Sequence, residues 1–240
     1  MKRASLKLKP LPNGDKIDQI HAFLQDYIID GNLKPGDEIP PERQLAAQLG
    51  VSRFSLREAL RVTKAHGLIE ISRGRRPRVA KPSSSAATEV IALTLRRTGK
   101  TLLDLIEARQ SIECGTARCA ALRAKPSHIR AMNKTIDDLK DNKNNLALCI
   151  EKDIEFHNIL VKASGNKVFE IILAPLAELL TESRTKTMKV GVERAVLGHR
   201  RILEAVIKKD ADRAAQAMYD HLKMAEEDLE KITLAEKCRK

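Results

Sequence analysis

The sequence predicts a mostly α chain in two parts, a small N-terminal module ending in a basic hairpin and a C-terminal antiparallel helical bundle. Three observations carry this. Residues 38 to 80, EIPPERQLAAQLGVSRFSLREALRVTKAHGLIEISRGRRPRVA, pattern as two short helices, a tight turn and a hairpin. Lys81-Pro-Ser-Ser-Ser-Ala follows as the clearest linker signal in the chain. Beyond Ala80 no β-branched alternating run occurs, while apolar residues recur at helical spacing. A chain of 240 residues with 42% hydrophobic content is long enough for two domains with their own cores.

The elements follow in order. Residues 1 to 15 are polar and Pro-containing and read as a loose basic arm. Ile17 to Asp30 repeats apolar residues at helical spacing (Ile17, Ile20, Phe23 or Leu24, Tyr27, Ile28), and Gly31 and Pro35 stop it. A short helix from Glu42 to Leu49 comes next; Pro41 precedes it, losing a side-chain cap but remaining compatible with a first helical turn. Gly50-Val51 makes a turn, Ser52 is a good N-cap, and a second helix runs from Arg53 to about His66. Arg53 and Arg57 lie one turn apart on one face of it, while Leu56, Ala59, Leu60 and Thr63 can pack on the preceding helix. Gly67 ends the helix, Leu68–Ile71 reads as a strand, and Ser72-Arg73-Gly74 turns into a second strand. This is the pattern of a winged helix-turn-helix, whose second helix enters the major groove of DNA led by its N-terminal residues. The predicted organisation is therefore an arm (1–15), a winged helix-turn-helix domain (16–82), a linker (83–86) and a helical bundle (87–236).

Charge agrees with a nucleic-acid partner. Nine Lys or Arg lie between Arg53 and Lys81, against Glu58 and Glu70 alone. Residues 1 to 82 hold sixteen basic and nine acidic groups, so this third of the chain supplies much of the overall +12. Four arginines crowd the hairpin RGRRPR and repel one another unless anions are nearby.

After the linker, helices are predicted over 87–97, 101–124, 127–141, 146–164, 167–188, 193–208 and 211–235, with breaks at Gly99, Pro126, Gly165-Asn166, Gly191 and Asp210. Short connections imply an antiparallel bundle. Polar residues interrupt its apolar stripes. Asp153 and His157 continue the stripe of Leu146, Cys149, Ile150, Leu160 and Val161. His199 interrupts Val192, Val196, Ile202, Leu203 and Val206; His221 interrupts Ala214, Met218, Leu222, Ala225 and Leu229. Unpaired buried charge is costly, so three histidines and an aspartate on inward faces suggest a metal site suited to Zn, Ni, Mn or Fe(II). Each residue alone is more often a hydrogen-bonded core group, and it is the coincidence of all four that points to a metal. Arg109 lies on the stripe of Leu102, Leu105, Ile106, Ile112 and Thr116. It can pair with Glu113 at i+4 or offer its fork to a ligand carboxylate.

No apolar run approaches the length of a membrane span, and the N-terminus lacks a secretory stretch. Cys114, Cys119, Cys149 and Cys238 show neither CxxC pairing nor zinc-finger spacing, which suits free thiols in a reducing cytosol. A soluble cytoplasmic protein is expected.

The residues resemble a known family. PERQLAAQLGVSR, LREAL, GLIE and RG fall where the DNA-binding domain of GntR-type bacterial regulators has them. The second half resembles the FCD effector domain of the FadR subfamily through EAR at 107–109, DIEFH at 153–157, ASGN at 163–166, His199 with Ala205, and HL at 221–222. The resemblance implies a homodimer that binds double-stranded DNA at a short inverted repeat through Arg43, Ser52, Arg53, Arg57 and the wing residues Gly74, Arg75 and Arg76. It also implies Asp153, His157, His199 and His221 as ligands of a divalent transition metal, Zn, Ni or Mn. Arg109, with Asn166, would hold a small carboxylate effector. The wing departs from the family, since RGRRPRVA lacks the usual second glycine and aromatic; its extra arginines are placed to reach a minor groove.

The expected function is ligand-gated transcription regulation, repression or activation, in which the acid changes operator affinity through the bundle. Two rivals are a metal-dependent hydrolase, against which no spare inward Glu is evident as a general base, and a non-specific nucleic-acid binder.

Overall fold

The computed structural model describes residues 16–72, 74–98 and 102–237. The predicted arm, Arg73 of the wing, the break at Gly99 and Cys238 lie outside these residues. The described chain holds eleven helices and one two-stranded antiparallel sheet, and divides into two compact units between Ala86 and Ala87.

In the first unit α1 (Lys16–Ile29), α2 (Glu42–Leu49) and α3 (Arg53–Ala65) enclose a core of Ile20, Leu24, Ile39, Leu45, Leu49, Leu56, Leu60 and Ile69. Gly50 caps α2 at φ 68°, a left-handed conformation that favours glycine. Pro41 leaves the start of α2 without a side-chain cap, and its carbonyl accepts from Leu45 N at 2.9 Å. Ser52 accepts from Ser55 N at 3.0 Å and so begins α3. The wing pairs β1 (Ile69–Glu70) with β2 (Arg78–Val79) in the register Ile69↔Val79 and Glu70↔Arg78. The ladder is shorter than the run Leu68–Ile71 suggests, and β2 has a second neighbour on its other edge. Gly36 N donates to Val79 O and Ile39 N to Pro77 O, both at 2.8 Å. That edge segment carried no strand signal in the sequence.

The second unit comprises α4 (Ser85–Thr98), α5 (Leu102–Arg123), α6 (Pro126–Asp141), α7 (Leu146–Ala163), α8 (Lys167–Leu179), α9 (Thr181–Val190), α10 (Val192–Ile207) and α11 (Ala211–Lys237). α5 packs along α11, α10 lies on α11 and α6, and α6 on α7. The principal core joins Ala117, Met132, Ile136, Phe156, Leu160, Ile202 and Met218 from five helices. Pro126 opens α6 at its first position, where a missing N–H costs nothing.

The predicted helix 167–188 is two helices. Side chains take the last carbonyls of α8: Arg184 donates to Ala177 O at 2.9 Å and Thr181 Oγ1 to Glu178 O at 2.8 Å. Leu180 turns the chain between the two at φ −87°, ψ 7°. Carbonyls that a continuing helix would use internally are thus satisfied from outside it.

Candidate functional site

The exposed face of the first unit collects arginines. Arg43 on α2 and Arg53 and Arg57 on α3 are all exposed. Arg57 Nε donates to Glu42 Oε2 at 2.8 Å, which steadies the guanidinium while leaving most of its fork outward. The Ser52 oxygen is committed to the cap. Gly74 stands at φ 73° in the wing turn, where Arg75 N donates to Ser72 O at 3.1 Å; Arg75 is exposed. The crowded wing arginines have an internal anion that the sequence reading did not assign. Glu38 receives Arg76 Nη1 at 3.2 Å and Arg78 Nη2 at 2.8 Å.

The bundle brings Asp153 and His157 of α7, His199 of α10 and His221 of α11 into one buried cluster. One donor atom from each lies within 4.8 Å of all the others. Helical spacing on α7 puts Asp153 and His157 on one face, while α10 and α11 deliver one imidazole each. His157 Nε2 and His221 Nε2 face each other at 3.3 Å. His199 is fully buried, and neither of its ring nitrogens has a hydrogen-bond partner among the described residues. Its Nε2 approaches Asp153 Oδ1 at 3.2 Å, but as an electrostatic contact without hydrogen-bond alignment. Buried ring nitrogens without partners, grouped with a carboxylate, are the donor set of a divalent transition metal. The residues fit such an ion.

Glu113 and Arg184 complete the electrostatics. Glu113 Oε2 accepts from His157 Nδ1 at 2.6 Å, which places the ring proton on Nδ1 and leaves Nε2 turned into the cluster. Its other oxygen pairs with Arg109 Nε. Arg184 Nε donates to Asp153 Oδ2 at 2.9 Å. Burial works to raise the Glu113 carboxyl, but Arg109 and His157 outweigh it and hold it well below the usual carboxylate range. Burial likewise opposes ionisation of Asp153, yet His199, His157 and Arg184 keep its pKa far below normal. Burial pushes His157 down to about 4 and His221 well below its ordinary value, so at neutral pH both rings are uncharged bases.

The cluster opens on a small cleft of about 50 Å³, lined in part by Arg109, Asp153, Ser183, Arg184, Thr187 and His221. Arg109 does pair with Glu113, as one of its two predicted roles required, and its buried Nη2 still has no partner. Asn166 does not join this group. Its side chain caps α8, accepting from Val168 N at 3.0 Å, and it is absent from the cleft wall.

Glu113 pairs with Arg109 as the i+4 spacing allows and also takes His157, so both its oxygens are occupied, and it does not line the cleft. A carboxylate so engaged is no general base for a hydrolase. Arg184 is a site residue for which the sequence offered one signal: it lies four residues from both Leu180 and Met188, on their buried stripe.

Known proteins decide the family. Residues 16–79 match the model for bacterial regulatory proteins of the gntR family, and residues 104–224 match the FCD domain. The chain belongs to the GntR family and carries an FCD domain. HTH-type transcriptional repressor NanR of Cronobacter sakazakii is 28% identical over 247 residues, covering 98% of this chain and 94% of that protein. NanR of Salmonella typhimurium is 28% identical over 229 residues, covering 91% and 86%. Among solved structures, Streptococcus agalactiae GntR superposes with a TM-score of 0.71 at 24% identity, covering 88% of this chain and 99% of that one. This GntR-family protein is a transcriptional regulator, not an enzyme. No helix among its described residues is long and apolar enough to cross a membrane.

Proposed function

We propose that this regulator binds a short inverted-repeat operator as a homodimer, and that a small carboxylic acid bound beside a metal in the bundle controls its operator affinity. The observation that carries the reading is one shared cleft. Two of the four metal-type ligands, Asp153 and His221, line the same wall as Arg109, whose Nη2 is buried without a partner. A buried, unpartnered guanidinium nitrogen on a residue that lines the cleft is a ready partner for a carboxylate.

Asp153, His157, His199 and His221 would hold the ion, with zinc, nickel or manganese suited to the donor set. Such an ion, when bound, supplies Lewis-acid coordination for an anionic oxygen. Glu113 keeps the His157 proton on Nδ1, and Arg184 holds Asp153 through its Oδ2. Arg109 receives the acid's carboxylate, and the role first assigned to Asn166 passes to Arg184, which lines the cleft. On the other unit Arg43, Arg53 and Arg57 meet operator DNA, with Gly74, Arg75 and Arg76 on the wing. The relatives' printed names favour repression as the sign of regulation.

The test begins with metal analysis of the purified wild type beside an Asp153→Ala, His157→Ala variant. One ion per chain in the wild type and almost none in the variant is expected. Operator binding is then measured at fixed salt with a panel of small acids. An acid that binds the bundle and leaves operator affinity unchanged is not the effector, and a wild type free of metal after supplementation would refute the metal-coordinated site.

A further inference from the structure

Phe54 is 72% exposed, more than any other large hydrophobic side chain among the described residues. The chain has only four phenylalanines, and the other three are buried or half-buried. Phe54 belongs to neither the core of the first unit nor the partly buried shell around it. Its position explains this. Phe54 is the second residue of α3, between Arg53 and Arg57, on the side opposite the buried Leu56, Ala59, Leu60 and Thr63. A recognition helix leads into the major groove with these N-terminal residues. The major-groove edges of the bases offer mostly hydrogen-bonding groups, and the thymine C5-methyl is the apolar exception, a partner for apolar side chains such as Phe.

We infer that Phe54 is a specificity-determining residue that packs on the 5-methyl of a thymine in each operator half-site. The inference rests on the proposed operator-binding surface, and it adds base reading to a set of arginines otherwise matched to phosphates and guanines. Water leaves the ring and the methyl together on contact, so one defined T·A pair is favoured over a pair that lacks the methyl.

The experiment uses the full-length protein. Duplexes are selected from a random-sequence library, and in the enriched operator each thymine is replaced singly by uracil, which removes only the methyl. One symmetric position is expected to lose about fourfold in affinity per half-site, the worth of one buried methyl-sized group at about 0.8 kcal/mol. Phe54→Ala, an exposed change that leaves the core untouched, should bind the thymine and uracil duplexes equally. If no uracil substitution weakens the wild type, or if Phe54→Ala discriminates as well as the wild type, the assignment is overturned while operator binding stands. Failure to enrich any sequence would instead remove the operator reading, and the role of Phe54 with it.

Discussion

Glu113 joins two buried groups with one carboxylate, Arg109 on one oxygen and His157 Nδ1 on the other. Glu113→Gln keeps the shape and removes the charge, leaving a buried guanidinium without its counter-charge. Apo stability should fall by about 3 kcal/mol or more in urea unfolding. Metal affinity should fall about 10- to 100-fold in titration, because the second carboxylate no longer orients His157. An unchanged urea midpoint would mean that Arg109 finds another partner. His21 offers a test in the first unit. Its Nδ1 lies 2.9 Å from Thr63 Oγ1, and that hydroxyl donates to Ala59 O at 2.7 Å, so the ring proton sits on Nδ1. Burial and the neighbouring His66 lower its pKa below the ordinary 6.5, with Asp18 pulling the other way. The unfolded chain therefore takes up the proton first. The contribution of neutral His21 to this unit's stability is full above pH 6.5 and is lost as pH falls below it. Unfolding midpoints between neutral and mildly acidic pH should show that decline in the wild type and a flatter profile in His21→Gln.

α10 is shaped around a neighbour. A Cβ built on Gly198 would stand 2.3 Å from His221 Nδ1, so a glycine in mid-helix lets the α11 imidazole lie against the α10 backbone. Alanine there favours the helix by about 1 kcal/mol but forces the ring away. Gly198→Ala is expected to keep its helical circular dichroism and lose metal affinity, and full retention of affinity would show that His221 is not a ligand. The same elements show what the sequence can and cannot disclose. The α2 and α3 boundaries and the inward Asp153, His157, His199 and His221 were legible, because helical periodicity and caps are local signals. The end of α8 was not, because its carbonyls are satisfied by Arg184 and Thr181 after the chain has turned. The pairing of Glu113 with Arg109 is local and legible, whereas its second partner His157 is 44 residues away and is not. Asn166 was assigned to the effector by motif position, while its local role as a helix cap was the stronger constraint.

Among the described residues each unit has hydrophobic core clusters of its own. Two calorimetric transitions are expected, and ligand linkage acts on one of them. Zinc added to chelator-treated protein should raise only the bundle's transition, by about 2.7 kcal/mol at a hundredfold excess over Kd. A shift of the DNA-binding unit's transition instead would place the ion elsewhere. Charge at this scale also looks different once Glu38 and Glu42 are taken into account. Arg57, Arg76 and Arg78 already rest against protein carboxylates. A phosphate that meets one of them exchanges one anion for another, and the cation condensed on the DNA is displaced less completely. Log affinity falls against log salt with a slope of about 0.9 per phosphate neutralised. That slope will count the arginines that arrive without an escort, and it will be shallower than the nine basic residues between Arg53 and Lys81 suggest.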